Sequence, residues 1–266
     1  MKNNNDSAKQ ENKKALPKFI LIVVLSLIVG MVFGFAMVML SLEDFGDALT
    51  AAGVFFTAKV AGWLVIALPV VELAACLPLY FSAKKQLAAW DGEDEAVSGE
   101  IEVKISVAIW ITSLGTVLAF FLMAAMFSGF AVTAGTPDGI PPFLFFGGLV
   151  GFLAALFAPV VVQQKLMDLT KQLNPEKKGS VYDPKFQKTW YGSCDEAERA
   201  IIGQCAFKAY QAMCRVCLGL WAVFALGGMF FDWGFLPALA VCVVWGTGQT
   251  VYFYWTLKLG RPDGKV

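Results

Sequence analysis

The chain has 266 residues, of which 58% are hydrophobic and 16% are charged, and its formal net charge is zero. This balance is more apolar than that of soluble domains, and the zero net charge gives no indication of a nucleic-acid partner. The sequence contains no His, which removes the most common metal ligand and the most common general base from consideration.

The apolar residues lie in long runs. A helix needs about 20 consecutive apolar residues to cross a hydrocarbon core about 30 Å thick. We therefore predict an all-α membrane protein with six transmembrane helices arranged in three hairpins. The predicted spans are residues 19–42, 60–82, 105–128, 143–162, 210–231 and 236–257.

Polar segments flank and separate these spans. Residues 1–18 contain an Asn run and scattered charges, which predict a disordered N-terminal segment. The apolar run that follows is longer than that of a signal peptide, so we interpret it as an uncleaved first helix. Residues 43–59 are predicted to be a polar connection, and residues 258–266 a polar tail. Residues 163–209 form a long polar segment, which we call the central insert.

Glycine and proline mark the packing and the ends of the predicted helices. The spacings Gly30-x-x-x-Gly34 and Gly147-x-x-x-Gly151 let a second helix approach closely. For the first pair, two unrelated glycines in a Gly-rich chain are an equal alternative. Prolines interrupt the second span, and Trp90-Asp-Gly92 is a predicted helix stop. Only Asp232-Trp-Gly-Phe235 separates the last two spans, which predicts an antiparallel hairpin.

Lys and Arg predict the orientation in the membrane. With six spans, 20 of the 21 Lys and Arg residues fall on one side, and only Lys59 falls on the other. Cytoplasmic loops carry the excess of Lys and Arg. We therefore expect a multi-pass cell-membrane protein with both termini and the central insert in the cytoplasm.

The central insert is predicted to be folded. Leu166, Leu169 and Leu173 continue the fourth span as an amphipathic helix, which should end before Pro175. The pattern Ser193-x-x-Glu196 is typical of a capping box and predicts the start of a helix that runs into the fifth span.

Five charged residues of the insert are candidates for contact with a partner protein or with lipid headgroups. They are Lys177, Lys178, Asp195, Glu198 and Arg199. The alternative is that the acids complement a helix N-terminus and that the lysines only follow the positive-inside rule.

Three stretches of the sequence are similar to a known family: Lys13-Lys-Ala-Leu-Pro-Lys18, Leu173-Asn-Pro-Glu-Lys-Lys-Gly-Ser-Val-Tyr-Asp183 and Ser193-Cys-Asp-Glu-Ala-Glu198. On these motifs the chain resembles, over essentially its whole length, the bacterial six-span membrane proteins of domain-of-unknown-function family 3169. The resemblance implies six spans and the single cell membrane of a Gram-positive bacterium. It supplies no activity, ligand or catalytic residue.

A polar layer is predicted inside the membrane. Counting about 1.5 Å per residue, Glu72, Ser113 and Gln249 all lie about 18–20 Å from the outer surface. A charged side chain at such a depth costs about 2.5–3.5 kcal/mol on insertion scales. We hypothesise that the three residues face each other as a polar lock or as a proton- or cation-linked site. A neutral, hydrogen-bonded Glu72 with a purely structural role is the alternative.

The sequence offers no set of catalytic residues. Cys214 and Cys217 have the spacing of a metal-binding pair but lack a second pair, so we predict neither a metal nor another cofactor. We expect a non-enzymatic protein with a regulatory, immunity or accessory role, which acts through the central insert on a cytoplasmic or membrane protein partner. The alternative is a small transporter or permeation protein with a polar site around Glu72. The oligomeric state is left open.

Overall fold

The structure is a computed structural model, and it describes residues 16–17, 20–25, 28–29, 31–32, 35, 43–137, 139–231 and 233–259. The predicted disordered segment lies largely outside these residues, as does about half of the first predicted span, including Gly30 and Gly34. The described residues are helical apart from short turns and contain no β-strand, which confirms the all-α class.

The described helices are α1 (Glu43–Phe55), a π-helix (Phe56–Val60), α2 (Ala61–Ala89), α3 (Glu95–Val132), α4 (Pro142–Leu173), α5 (Phe186–Gly192), α6 (Glu196–Phe230) and α7 (Leu236–Leu259). Five helical segments are long and apolar enough to cross a membrane: Gly46–Ala89, Glu95–Val132, Pro142–Leu173, Glu196–Gly228 and Leu236–Thr256. Each of the last five predicted spans overlaps one of these segments, as expected of a membrane protein.

The prediction of a polar connection over residues 43–59 is wrong. That stretch is helical and leads into α2 through the π-helix. The acids are concentrated at its start, and the remainder is rich in Ala and free of Pro, so nothing in it breaks a helix. The Thr57 hydroxyl lies within hydrogen-bonding distance of the carbonyl oxygens of Gly53 (2.9 Å) and Val54 (3.1 Å), where the π-helix begins.

Prolines do not interrupt α2, contrary to the prediction. The helix continues through Pro69 and Pro78, as is tolerated in membrane helices whose neighbours and local adjustments satisfy the freed backbone groups. The predicted stop after α2 is confirmed, since Gly92 has a φ of +89°. The carboxylate of Asp94 then caps α3 by accepting hydrogen bonds from the backbone N–H groups of residues 96 and 97.

The chain divides into two compact units. One contains residues 50–209 and is called the bundle unit; the other contains residues 1–49 and 210–266 and is called the hairpin unit. In the bundle unit, α2, α3 and α4 pack against one another in pairs. Their buried residues form two apolar clusters, one around Val65 and Met126 and one around Ile101 and Leu166.

Glycines set the close approach of the bundle helices. A Cβ on Gly151 would lie 2.7 Å from the Cα of Ile66 and 2.8 Å from the carbonyl oxygen of Val65. A Cβ on Gly129 would lie 2.4 Å from the backbone carbonyl of Thr57. Because these neighbours are backbone atoms, only glycine fits, as in the small-residue contacts of membrane helices.

The hairpin unit confirms the antiparallel pairing predicted for the last two spans. The Tyr210 hydroxyl on α6 donates to Gln249 Oε1 on α7 at 2.7 Å, and the ring of Tyr210 stacks on Tyr252 with centroids 4.9 Å apart. At the turn, Gly234 has a φ of +68°, and the ring of Trp233 covers Gly227, where a Cβ would lie 2.0 Å from it.

Candidate functional site

The carboxyl group of Glu72 lies in the core of the bundle unit. Glu72 stands near the middle of α2 and is 5% exposed. None of the described residues forms a hydrogen bond with either of its two carboxyl oxygens. A buried polar group without a partner costs free energy, and an unpaired ionised carboxylate costs far more. Glu72 is therefore a group that the fold tolerates rather than one that stabilises it.

A glycine of α3 makes room for this carboxyl group. A Cβ on Gly115 would lie 1.6 Å from Glu72 Oε1 and 2.4 Å from its Cδ. The carboxyl group therefore rests on the backbone of α3 at the one residue type that leaves space for it. Any larger side chain at position 115 would force the carboxyl group into another position.

A hydrogen-bonded pair of polar side chains, Thr112 on α3 and Gln163 on α4, lies near Gly115. Thr112 is one helical turn before Gly115 on α3. Thr112 is 1% exposed, and its hydroxyl is within hydrogen-bonding distance of the carbonyls of Ala108 (3.2 Å) and Ile109 (2.9 Å). The side-chain amide of Gln163 on α4 donates to the Thr112 hydroxyl at 3.0 Å. Residues three apart lie on the same face of a helix, so Thr112 and Gly115 belong to one face of α3.

The other two residues of the predicted polar layer have their own surroundings. Ser113 is exposed, and its hydroxyl donates to the carbonyl of Ile109 at 2.8 Å. Gln249 belongs to the hairpin unit, where it accepts from Tyr210 and its amide lies 3.8 Å from the sulfur of Cys214. The shared site of Glu72, Ser113 and Gln249 stays a prediction.

Sequence analysis missed three residues of this region: Thr112, Gly115 and Gln163. Depth counting fixes the height of a residue in the membrane but not the face of the helix on which it lies. One residue changes that face by about 100°, which separates buried Thr112 from exposed Ser113. The usable signal was the pair Thr112 and Gly115, a polar and a small residue at a spacing of three.

In the central insert, the buried side chain of Lys177 forms an ion pair with the partly exposed side chain of Glu198. The side chain of Lys177 is 3% exposed, and its ammonium group donates a hydrogen bond to Glu198 Oε2. Burial by itself lowers the pKa of Lys177, but the hydrogen bond to Glu198 and the nearby acidic groups raise it above its ordinary value of 10.5. Lys177 therefore stays charged at physiological pH and ties the turn after α4 to the start of α6.

A capping box opens α6, but its residues are not the predicted ones. The backbone N–H of Glu198 donates to Asp195 Oδ1 at 2.8 Å, and the N–H of Asp195 donates to Glu198 Oε2 at 3.0 Å. The box is thus Asp195-x-x-Glu198 rather than Ser193-x-x-Glu196. The Ser193 hydroxyl instead accepts from the N–H of Lys178 at 3.1 Å and donates to the carbonyl of Trp190 at 2.7 Å.

The side chain of Arg199, at the start of α6, caps the C-terminal end of the short helix α5. Its guanidinium group donates to the carbonyls of Tyr191 (3.3 Å) and Gly192 (3.0 Å) and lies 5.5 Å from the centre of the Tyr191 ring. Among the five residues proposed for partner or lipid contact, Lys177 is buried, whereas Lys178 and Asp195 are exposed. The hypothesis of such contacts stays a prediction.

Searches of this chain against protein-family models, curated proteins and solved structures give no match.

Proposed function

We propose that this chain is a non-enzymatic membrane protein whose α2–α3–α4 bundle carries a proton-linked site at Glu72, as in a small transporter or permeation protein. The observation that carries the proposal is a buried carboxyl group, inside helices of membrane-spanning length, with no hydrogen-bond partner among the described residues. Ionisable groups inside the membrane are costly and mark ion pathways and proton relays.

Without a hydrogen-bond partner among the described residues, the protonated and ionised forms of Glu72 require different surroundings. In the present arrangement the surroundings of Glu72 favour the neutral acid, because no described cation or hydrogen-bond donor compensates a negative charge. Release of the proton requires an arrangement in which water, a cation or a donor reaches the carboxylate. Protonation of Glu72 thus favours one bundle arrangement over another, which is the requirement for coupling a proton to a conformational change.

Difference infrared spectroscopy of the full chain in lipid nanodiscs tests this function. On a pH change, the unmodified protein should show a carbonyl band of a protonated carboxylic acid that is absent in Glu72→Gln. The variant Gly115→Ala keeps the acid but displaces it, so the band should shift in frequency and in titration range. Asp168→Asn, at an exposed acid of the same unit, is the matched control. An unchanged band in Glu72→Gln would contradict the proposal.

The orientation is part of the same proposal. Six spans with both termini and the central insert in the cytoplasm of a cell membrane are supported by the Lys and Arg distribution. The family resemblance implies the same span count and a Gram-positive source. In a cysteine-free background, a cysteine at Thr136 should react with an impermeant thiol reagent from outside intact cells, and one at Lys178 should not. The reverse pattern would overturn the orientation.

A regulatory, immunity or accessory role through the central insert is the second candidate. It is favoured by exposed apolar side chains on the first turns of α6, since Ile201 is 61% and Phe207 50% exposed. A photo-crosslinking residue at Ile201 should form a defined protein adduct in intact cells if the insert meets a partner. Adducts with lipid alone would argue against this role.

A further inference from the structure

A cleft of about 370 Å³ lies between the first half of α3 and the central insert, which includes the end of α4. Its volume is within the range of small-molecule sites. It is bounded by α3 around Ile109, by α4 around Met167 and by the short helix α5. All of these segments belong to the bundle unit.

The cleft has an apolar floor and an aromatic wall. Ile109 and Met167 are mostly buried and contribute the apolar side chains of the floor. Phe186 and Trp190 lie one turn apart on α5, with ring centroids 5.7 Å apart, and both are half-buried. Two aromatic rings facing a cavity favour a ligand that has an apolar body or a cation near the ring faces.

The charged residues that line the cleft favour a ligand of positive charge. Lys177 and Glu198 line the cleft but neutralise each other in their ion pair. Glu102 accepts a hydrogen bond of 3.1 Å from the side-chain amide of Asn174, which is uncharged. The lining therefore carries one uncompensated negative charge, at Glu102, and its one cation, Lys177, is already engaged. An anionic ligand would be repelled by Glu102, and no lining residue would offer it an unpaired positive charge.

We propose that this cleft binds an organic cation, a quaternary or protonated amine with an apolar body. The amine would lie between the carboxylate of Glu102 and the faces of Trp190 and Phe186, and the apolar body would cover Ile109 and Met167. A soluble amine and the amine headgroup of a lipid share this chemistry.

The floor of the cleft lies next to the hydrogen-bonded polar pair in the bundle interior. Ile109 and Met167 lie three and four residues from Thr112 and Gln163, which are joined by a hydrogen bond. One helical turn thus separates the cleft floor from that bond. The binding proposal goes beyond the proton-linked function and does not depend on it.

Isothermal titration calorimetry of the full chain in nanodiscs of phosphatidylglycerol alone tests the proposal with benzyltrimethylammonium as the probe. We expect saturable binding at one site and no binding of benzenesulfonate, the anionic probe of similar shape. Glu102→Gln should weaken binding about threefold, because an exposed carboxylate contributes little. Glu100→Gln, which removes an exposed acid outside the cleft, should leave the affinity unchanged.

The aromatic wall is tested separately. Trp190→Leu should weaken binding about tenfold, and Trp190→Phe, which keeps a ring, should restore part of the loss. Trp110→Leu, at an exposed position on α3 outside the cleft, is the control. Retention of the thermal midpoint in each variant shows that the fold is intact.

Three results would overturn the proposal. They are no saturable binding of the cation, binding of benzenesulfonate as tight as that of the cation, or an affinity of Trp190→Leu for the cation equal to that of the unmodified protein. Nanodiscs that contain phosphatidylethanolamine distinguish the two sources of the amine. Weaker probe binding in them indicates competition by the lipid headgroup, and unchanged binding indicates a soluble amine. The two proposals can fail separately. If the unmodified protein shows no carbonyl band from Glu72 but still binds the cation, the proton-linked function is wrong and the cleft proposal stands.

Discussion

The bundle unit and the hairpin unit use helices of similar length in different ways. In the bundle unit, each long helix buries about a third of its apolar membrane-spanning part, whereas α6 and α7 bury almost none of theirs. The bundle combines two apolar side-chain clusters with close backbone approach at glycines, whereas a few side-chain contacts join the helices of the hairpin. The comparison shows that helices of similar length and apolar composition can differ in how much of their surface they bury.

The two units also differ in how their polar groups are satisfied. In the hairpin unit, Tyr210 and Gln249 form a hydrogen bond between helices. Among the described residues of that unit, the buried side-chain atom without a hydrogen-bond partner is the neutral indole nitrogen of Trp245. In the bundle unit, the unsatisfied group is the acid of Glu72. An unpaired carboxyl is more costly than an unpaired N–H once it ionises, which is why the candidate site is assigned to the bundle.

The largest predicted effect tests the glycine packing. Gly151→Ala should lower the free energy of unfolding by about 3 kcal/mol. The added Cβ would clash with the backbone of α2, and the clash can be relieved only by moving the two helices apart. The measurement is thermal or denaturant unfolding of the purified protein in detergent.

The hairpin unit provides the matched control for this substitution. Around Gly219 on α6, a Cβ would meet no described atom within 4 Å. Gly219→Ala should therefore leave stability unchanged or raise it slightly, since Ala is the better helix former. Equal losses in the two variants would show that the proposed difference between the units is incorrect.

The next effect has the opposite sign. Glu72→Met should raise the free energy of unfolding by about 1–3 kcal/mol, because an apolar side chain of similar length replaces a buried polar group that has no described partner. If the acid is functional, the gain in stability should accompany a loss of the pH-dependent infrared signal. Lower stability of the variant would indicate that the carboxyl group is a structural element of the bundle.

The stability of the central insert should depend on the ion pair of Lys177 and Glu198. Lys177→Met leaves Glu198 without its cation and should destabilise the insert by about 1–3 kcal/mol, less than a fully buried pair would because the Glu198 side chain is 37% exposed. Limited proteolysis of the insert measures this loss. Lys178→Met, at the exposed neighbour, should have little effect.

The pH dependence of the same pair follows from the raised pKa of Lys177. Its contribution should be fully present below the ordinary lysine value of 10.5 and should disappear as the pH rises through the higher pKa of the folded state. Protease resistance of the unmodified insert should therefore be constant from neutral to moderately alkaline pH. A decrease already near neutral pH would contradict this assignment.

The sequence predicted element type and position well where composition and helix stops agreed. The turns at Gly92 and Gly234 and the end of α4 at Leu173 were all readable, because glycine and proline act locally. The helical stretch before α2 could not be predicted in this way, because acidic residues at its start are equally typical of a loop and of a helix N-terminus. Sequence alone could not place Gly115 beneath Glu72, since that contact depends on the rotation of two helices about their axes.

The smallest predicted effect concerns the hydrogen bond of the hairpin unit. Tyr210→Phe keeps the ring that stacks on Tyr252 but removes the hydroxyl that donates to Gln249. We expect a small decrease in the thermal midpoint, smaller than that of Gly151→Ala, because one hydrogen bond contributes less than a steric clash with backbone. Tyr254→Phe, at an exposed ring of α7, should leave the midpoint unchanged. If instead Tyr210→Phe were as damaging as Gly151→Ala, the hairpin would depend on one polar contact as strongly as the bundle depends on a glycine, and the contrast between the two units would have to be abandoned.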